Sequence, residues 1–541
     1  MSSRRVVQQQ LDNPEIDSTL TWTTGNVAEA FPGVFTTLGY TFIEEPMEMA
    51  FRKMFVRMGV FKAREIYLPD RAEDMCWTLF DGWAAANIDK FRDIARLTPG
   101  TSASAVEQQL FGYARPGTVD DNSRRRYPAI AAKAPLLVAT LPRAHDQMIF
   151  ALRSWRLDAL ARVEGVDRAG CLALLSDARE RFEKIMILHL VVALVSSGLA
   201  ERVSAILARL GLSELETAVL SGVGADENQV AADLWALAHD RITLRDFTDR
   251  HGYHGREEGQ LSGVSWREDP SPVLARLDDY RSIDAGDPRA PQRRSAQQLA
   301  ARRQAMARVR AVAPRLHRPV LSVTIRLAAR FLALREQGKA GYLMTFDVAR
   351  ACVRRLGADL VAAGSLSQPD DVFHLSYDAL RGGGLGVELG EIPYRREQFA
   401  DRQLRRLPKA WVGRPEMVSV QDLSPDCDVT AVTGVAASPG VVTGRARVVR
   451  DPATTELDEG DILVCEITDP SWVALFLVAG AVVTDHGGLL SHGPIVAREL
   501  GIPCVCGTEV GSRQIRDGQL IRVDGDAGRV EILESAVNAP G

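Results

Sequence analysis

The sequence predicts a multidomain protein, mostly α-helical over residues 1–405 and closed by a smaller domain of strands and one or two helices. Three observations carry this. At 541 residues the chain is too long for one ordinary hydrophobic core. Helical apolar periodicity dominates from about residue 40 to 405. Beyond Leu407 the texture changes to short β-branched runs separated by turns.

Composition narrows the function classes. Hydrophobic content of 46% and charged content of 25% are those of a soluble globular chain. A net charge of -5 argues against nucleic acid as a partner. The amino terminus, MSSRRVVQQQLDNPEID, has no apolar core and does not read as a leader. The longest apolar run, IMILHLVVALVSSGLA from Ile185, is shorter than a bilayer span of roughly 20 residues and includes His189. It predicts a buried core helix and no membrane partner. Seven cysteines without regular spacing imply reduced thiols and a cytoplasmic location. Cys504 and Cys506 share one strand face and read as core packing, since no further ligand cluster completes a metal site there.

In chain order, helices are predicted from Glu48 to Phe61, around Cys171 to Ala200, and over SAQQLAARRQAMARVRAVA from Ser295. The last carries arginines opposite its apolar side, so Arg302 and Arg303 belong to a solvated face. The run from Gly382 to Gly386 reads as a flexible turn. LPKAWVGRPEMVSVQDLSPDCDVT contains three prolines and predicts a linker over 406–431. GRARVV, DILVCEI, GAVVTD, PCVCG, QLIRVDG and GRVEIL then read as strands of a domain over 432–541.

Within that domain, GGLLSHGPIVARELGIP from Gly487 stands out. AVVTD, Ala481 to Asp485, has the pattern of a buried strand, which His486-Gly487-Gly488 breaks. Glycines there let a ligand approach the main chain. Ser491 suits an N-cap, placing His492 at the first helical position and Pro494 within the tolerated first turn. Ile495, Val496 and Leu500 form the apolar face, and Gly501 before Pro503 stops the helix. His492 then stands at the positive end of a helix dipole beside free amides, which attract phosphate and disfavour the imidazolium. A neutral ring is a nucleophile. Thr484 and Ser491 offer hydroxyls, Gly487 and Gly488 offer backbone, and Arg498 lies six residues on. This favours phosphoryl transfer through a phosphohistidine; a surface histidine on a structural strand–turn–helix satisfies the same residues. Upstream, His251, His254, Glu257 and Glu258 form a polar knot between glycines. It reads either as a source of a general base or as a hydrogen-bonded loop anchor.

TDHGGLLSHGPIVARELGIPCVCG resembles the phosphohistidine segment of the swivelling domain shared by phosphoenolpyruvate synthase, pyruvate phosphate dikinase and rifampicin phosphotransferase. ASPGVVTGRARVV from Ala437 and ITDPSWVALF from Ile467 resemble that domain's opening strands, so the likeness covers residues 432–535. It implies a β/β/α swivelling phosphohistidine domain in which His492 carries the phosphoryl group. Gly493-Pro494 departs from the family, where two alanines are common. GNVAEAFPGVFTTL from Gly25, RHGYHGREEGQLSGVSWREDP from Arg250, and LREQGK with PDDVFHLSYDAL between Leu334 and Leu380 are similar to the substrate-binding region of the rifampicin phosphotransferase group. His254 stands where many relatives carry Arg.

The three-part relatives begin with an ATP-grasp domain that charges the histidine. This chain starts where that domain would have ended and contains no GxxxxGK[ST] loop. The resemblance therefore implies a separate ATP-grasp protein that binds ATP and Mg²⁺, with no cofactor held by this chain. The acceptor would be the hydroxyl of a small organic substrate, giving a phosphate ester or, by elimination, a dehydrated compound. Two alternatives stand beside it: a non-catalytic relative that binds a ligand or partner, and a phosphorylation-independent lyase using His492 as acid or base.

Overall fold

The computed structural model describes residues 19–98, 123–220, 225–287, 290–419 and 429–533, apart from 26, 451–454, 456, 469–471 and 488–491, and a few isolated positions between 16 and 121. The chain is helix-rich and divides into two compact units. One comprises Met1–Val192, Glu257–Gly263 and Gly338–Asp422; the other comprises Ala193–Arg256, Val264–Gln337 and Leu423–Gly541.

In the first unit the helix expected from Glu48 begins earlier, at Thr37, and ends at Met58. Thr36 caps it by accepting the Gly39 amide at 3.1 Å, and Gly59 ends it with a φ of 89°. Helices Tyr127–Val163 and Leu385–Gln403 belong to the same unit. Phe42, Phe182 and Phe346 meet at its centre, with the Phe182 and Phe346 rings stacked 5.4 Å apart. The apolar run from Ile185 belongs to helix Arg168–Arg209, which is 42 residues long. By length and composition it is the one helix among the described residues that would suffice to cross a membrane. Ile185, Met186, Val191 and Val192 on it are buried.

A four-stranded antiparallel sheet stands within the region expected to be mostly helical. Its order is Trp77–Phe80, Trp83–Asn87, Thr21–Thr23 and Ala410–Val412. The last strand lies in the stretch expected as a linker, and it sets Trp411 opposite Trp22. Prolines at 408 and 415 leave room for a three-residue strand, whose pairing comes from the distant segment at Thr21–Thr23. Trp22, Phe80 and Trp411 form its small aromatic core. Within the same expected linker, Val418–Ser419 pairs with Arg405–Arg406.

The second unit contains helices Leu244–His251 and Pro291–Val312 and the C-terminal sheet domain. Phe247, Trp266 and Tyr280 close one of its helical cores, and Leu207, Val309 and Ile325 another. Eight strands, numbered within the sheet domain, are β1 Ala431–Thr433, β2 Val435–Ser438, β3 Val441–Val448, β4 Ile462–Cys465, β5 Ala481–Thr484, β6 Cys504–Cys506, β7 Leu520–Asp524 and β8 Arg529–Ile532. Their spatial order is β2-β6-β5-β4-β3-β7-β8-β1. The central four, β3 to β6, are parallel, and the flanking pairs are antiparallel. Parallel neighbours need crossovers, supplied by helices Val473–Val478 and His492–Leu500.

Alternation along β4 splits its side chains between two cores. Leu463 and Cys465 join Trp472, Phe476, Val496, Cys504 and Cys506, while Ile462 and Val464 join Val483, Val505 and Ile521. Strands buried on both faces read in sequence as unbroken apolar runs. Cys504 and Cys506 lie on the same face in the first of these cores, and burial pushes the Cys504 thiol up.

Candidate functional site

His492 is the first residue of helix His492–Leu500, which follows the carboxyl end of the buried parallel strand β5. In open parallel sheets that edge is where strand ends and helix N-termini converge, so polar ligands bind there. Gly501, with a φ of 67°, terminates the helix through its amide to the Arg498 carbonyl at 3.2 Å. Gly488 and Ser491 lie outside the described residues, as does the His492 side chain.

What underlies this edge is well defined. Thr484 is 1% exposed, and its buried hydroxyl has no hydrogen-bond partner among the described residues. A dry hydroxyl left unbonded costs free energy unless something supplies an acceptor or donor. Asp485 is equally buried. Its Oδ1 accepts the Thr508 hydroxyl at 2.9 Å and the Ser512 amide at 2.9 Å, and its Oδ2 accepts the Ser512 hydroxyl. The Asp485 carbonyl takes the Glu509 amide at 3.0 Å. This carboxylate fastens the end of β5 to the turn after β6. Gly511 is required there, because a Cβ would stand 2.5 Å from the Thr508 hydroxyl. Gly487, with a φ of 122°, continues the chain in a conformation suited to glycine.

Gly493 explains the departure from the usual alanine. A Cβ at 493 would stand 2.9 Å from the Thr468 hydroxyl, which fills that space, and 3.4 Å from the Thr484 methyl. Gly493→Ala is expected to lower stability by about 1 kcal/mol. Adding Thr468→Ala should recover most of the loss in a thermal-unfolding double-mutant cycle; additive losses would show that the two sites do not share this space.

Arg498 turns back on its own helix, donating Nε to the Pro494 carbonyl at 3.1 Å. His486 lies on the strand exit with its ring 3.5 Å from the Glu466 carboxylate, both about 43% exposed. Asp485, Thr508, Ser512 and Thr468 were not singled out from the sequence. Asp485 could have been, as an acid ending an apolar run, whereas its partners lie more than twenty residues downstream.

The polar knot resolves into separate parts. His251 Nε2 is 2.8 Å from the Asp233 carboxylate, and His254 is 4% exposed between the Tyr253 and Trp266 rings at 4.5 and 5.4 Å. The backbone of His254 is also committed, to the His251 carbonyl and the Trp266 amide. These two histidines belong to the second unit, whereas Glu257 and Glu258 belong to the first. Glu257 is exposed with a φ of 53°. Glu258 is 5% exposed, and its carboxylate lies 2.7 Å from Lys339 Nζ. Fully buried Arg350 holds this loop, donating to the carbonyls of Glu258 at 2.6 Å and Gln260 at 2.8 Å.

Beside Lys339, helix Arg318–Ala362 approaches two imidazoles. A side chain at Gly338 would meet the His189 ring at 2.5 Å and the His145 ring at 3.1 Å, so only glycine leaves them room. His145 is fully buried, and His189 stands edge-on to Tyr342 at 5.8 Å. Lys339, Glu258, His145 and His189 thus bring two proton-transfer groups and an ion pair between buried Glu258 and partly exposed Lys339 to one stretch of the first unit. No single sequence segment contains this cluster, which four distant stretches assemble.

Residues 457–528 match the family described as PEP-utilising enzyme, mobile domain, and residues 239–336 match that described as rifampicin phosphotransferase fourth domain. A rifampicin phosphotransferase of a Streptomyces species is 35% identical over 306 residues, covering 55% of this chain and 35% of that protein. That of Streptomyces sviceus is 33% identical over 303 residues, covering 54% and 34%. Chondramide synthase cmdD of Chondromyces crocatus is 31% identical over 303 residues, which cover 50% of this chain and 8% of the synthase. The alignments span about a third of the length of these rifampicin phosphotransferases. An NMR solution structure of Enzyme I (nEIt) aligns at a TM-score of 0.15 and 20% identity, over 35% of this chain and 54% of that one, a likeness too slight to bear on the fold.

Proposed function

We propose, for a chain that carries a PEP-utilising enzyme mobile domain and a rifampicin phosphotransferase fourth domain, that His492 receives a phosphoryl group from an ATP-charged ATP-grasp protein and passes it to the hydroxyl of a small organic substrate. One observation carries this most directly. His492 opens a helix that follows a buried parallel strand, and the Thr484 hydroxyl at the carboxyl end of that strand has no partner among the described residues. A helix start offers amides to the phosphoryl oxygens and disfavours a cationic ring. Phosphoryl transfer asks little more of a protein than such positioning and charge stabilisation.

In the loading step a ring nitrogen of His492 displaces the donor's leaving group at phosphorus. In discharge the substrate oxygen attacks phosphorus, the N–P bond breaks, and the hydroxyl proton passes to a base. The Lys339–Glu258 pair and the adjoining His189 are the groups we assign to that hydroxyl: Glu258 or His189 as base, Lys339 as the charge facing the incoming phosphoryl oxygens. ATP and Mg²⁺ belong to the donor protein in this scheme. Phosphorylation also makes the hydroxyl a leaving group, so elimination follows where the substrate has an acidic neighbouring C–H.

The assignment separates the two half-reactions. Lys339→Met is expected to load phosphate on His492 at the wild-type rate and to discharge it to acceptor about 100-fold more slowly. Single-turnover discharge of the charged chain measures this. Equal slowing of loading and discharge would place Lys339 outside the acceptor step.

A further inference from the structure

The unit that contains His492 also presents a surface of concentrated charge. Between Asp287 and Glu336 the sequence has twelve arginines and no aspartate, glutamate or lysine. In a chain of net charge -5, this stretch carries +12 and leaves -17 elsewhere. Crowded like charge repels itself and destabilises a fold, so its retention asks for a reason.

Helix Pro291–Val312, a short turn and the first part of helix Arg318–Ala362 make up the stretch. Their inner faces are accounted for. Ala305 and Val309 of the first helix, with Leu321, Ile325 and Ala328 of the second, pack against Val203 and Leu207. Val320, Val323 and Leu327 recur at the same helical spacing and form a second apolar face, which is bare. Val320 is 62% and Val323 49% exposed, Leu327 is exposed too, and Leu316 in the turn is 91% exposed. The outward side of a helix is ordinarily polar. A contiguous aliphatic stripe there marks a surface that meets something.

The rim of this stripe is cationic. Arg326 stands three residues from Val323 and next to Leu327, its Nε donating to the Ser322 carbonyl at 3.1 Å. Arg308 reaches Glu214 at 2.9 Å. Arg303, Arg310, Arg315 and Arg326 are exposed and form no ion pair among the described residues. An apolar centre rimmed by arginine, without lysine or acid, has the composition of a protein–protein interface. Two copies meeting face to face about a twofold axis would set arginine against arginine, which opposes self-pairing. An anionic bilayer or a nucleic-acid duplex is extended, and would also meet the -17 on the rest of the chain. An acidic protein face can match the patch alone.

We propose that this face docks the phosphoryl donor, through a donor helix whose apolar side covers Val320, Val323 and Leu327 and whose carboxylates meet the arginines. Docking of this kind rests on His492 being charged by a second protein. Such a donor has to engage the unit that contains His492, and the stripe lies on that unit. The arginines speed encounter with an acidic partner, and burial of the stripe slows its departure.

The rate of His492 loading, measured against donor concentration, tests this. Val323→Glu is expected to raise the half-saturating donor concentration about 30-fold and to leave the maximal loading rate unchanged. Val323 is exposed, so the variant should melt as the wild type does. Arg326→Glu should raise the same concentration about 10-fold and weaken its dependence on salt. Unchanged half-saturation in either variant, beside normal loading of the wild type, overturns the docking face and leaves the role of His492 standing. No loading of the wild type at any donor concentration overturns both. Val323-dependent pelleting with phosphatidylglycerol vesicles, or a Val323-dependent dimer in sedimentation, gives the face another occupant and overturns the proposal as well.

Discussion

His492→Ala is expected to abolish phosphoryl uptake and acceptor phosphorylation, by about 10⁴-fold or more, while leaving the chain folded. Alanine is the best helix former at this first helical position, so the unfolding free energy should stay within about 0.5 kcal/mol of wild type. The measurement pairs phosphoryl incorporation with a thermal melt of the same preparation. The pairing matters because loss of activity through unfolding would mimic loss of a nucleophile. Retained acceptor phosphorylation in a folded variant would remove His492 from the reaction.

Asp485→Ala should carry the largest stability cost, about 3 kcal/mol. The carboxylate accepts from the Thr508 hydroxyl and from both the amide and hydroxyl of Ser512, all at a site 1% exposed. Truncation takes this acceptor from the half-buried amide and hydroxyl of Ser512 and leaves the buried Thr508 hydroxyl only the Thr484 carbonyl at 3.2 Å, which costs more than the bonds contributed. Asp485→Asn keeps one oxygen and should lose about half as much. Urea unfolding of the full chain distinguishes them. If alanine and asparagine cost the same, the carboxylate is not the clasp between β5 and the turn after β6.

The C-terminal domain was largely legible in the sequence because its signals are local. Buried parallel strands print as apolar runs, and Gly501 before Pro503 prints as a helix stop; the helix His492–Leu500 begins where the Ser-His pair indicated. The small sheet containing Trp22 and Trp411 was not legible, because its strands pair across most of the chain and each is too short to show a period. The polar knot misled for a related reason. Four polar residues close in sequence suggest one cluster, yet His251 finds Asp233 while Glu258 finds Lys339. Adjacency along a turn does not determine which side chains share an environment. Gly338 shows the converse: a plain glycine in a long helix makes room for His145 and His189 from two other helices.

The central claim is that His492 becomes a phosphohistidine competent to phosphorylate a hydroxyl. The most direct test charges the wild-type chain with an ATP-grasp donor and ATP, then maps the adduct by mass spectrometry at alkaline pH, where phosphohistidine survives. One phosphoryl group on His492 that disappears when acceptor is added is the expected result. A phosphoryl group on any other residue, or an adduct on His492 that acceptor does not discharge, would contradict it.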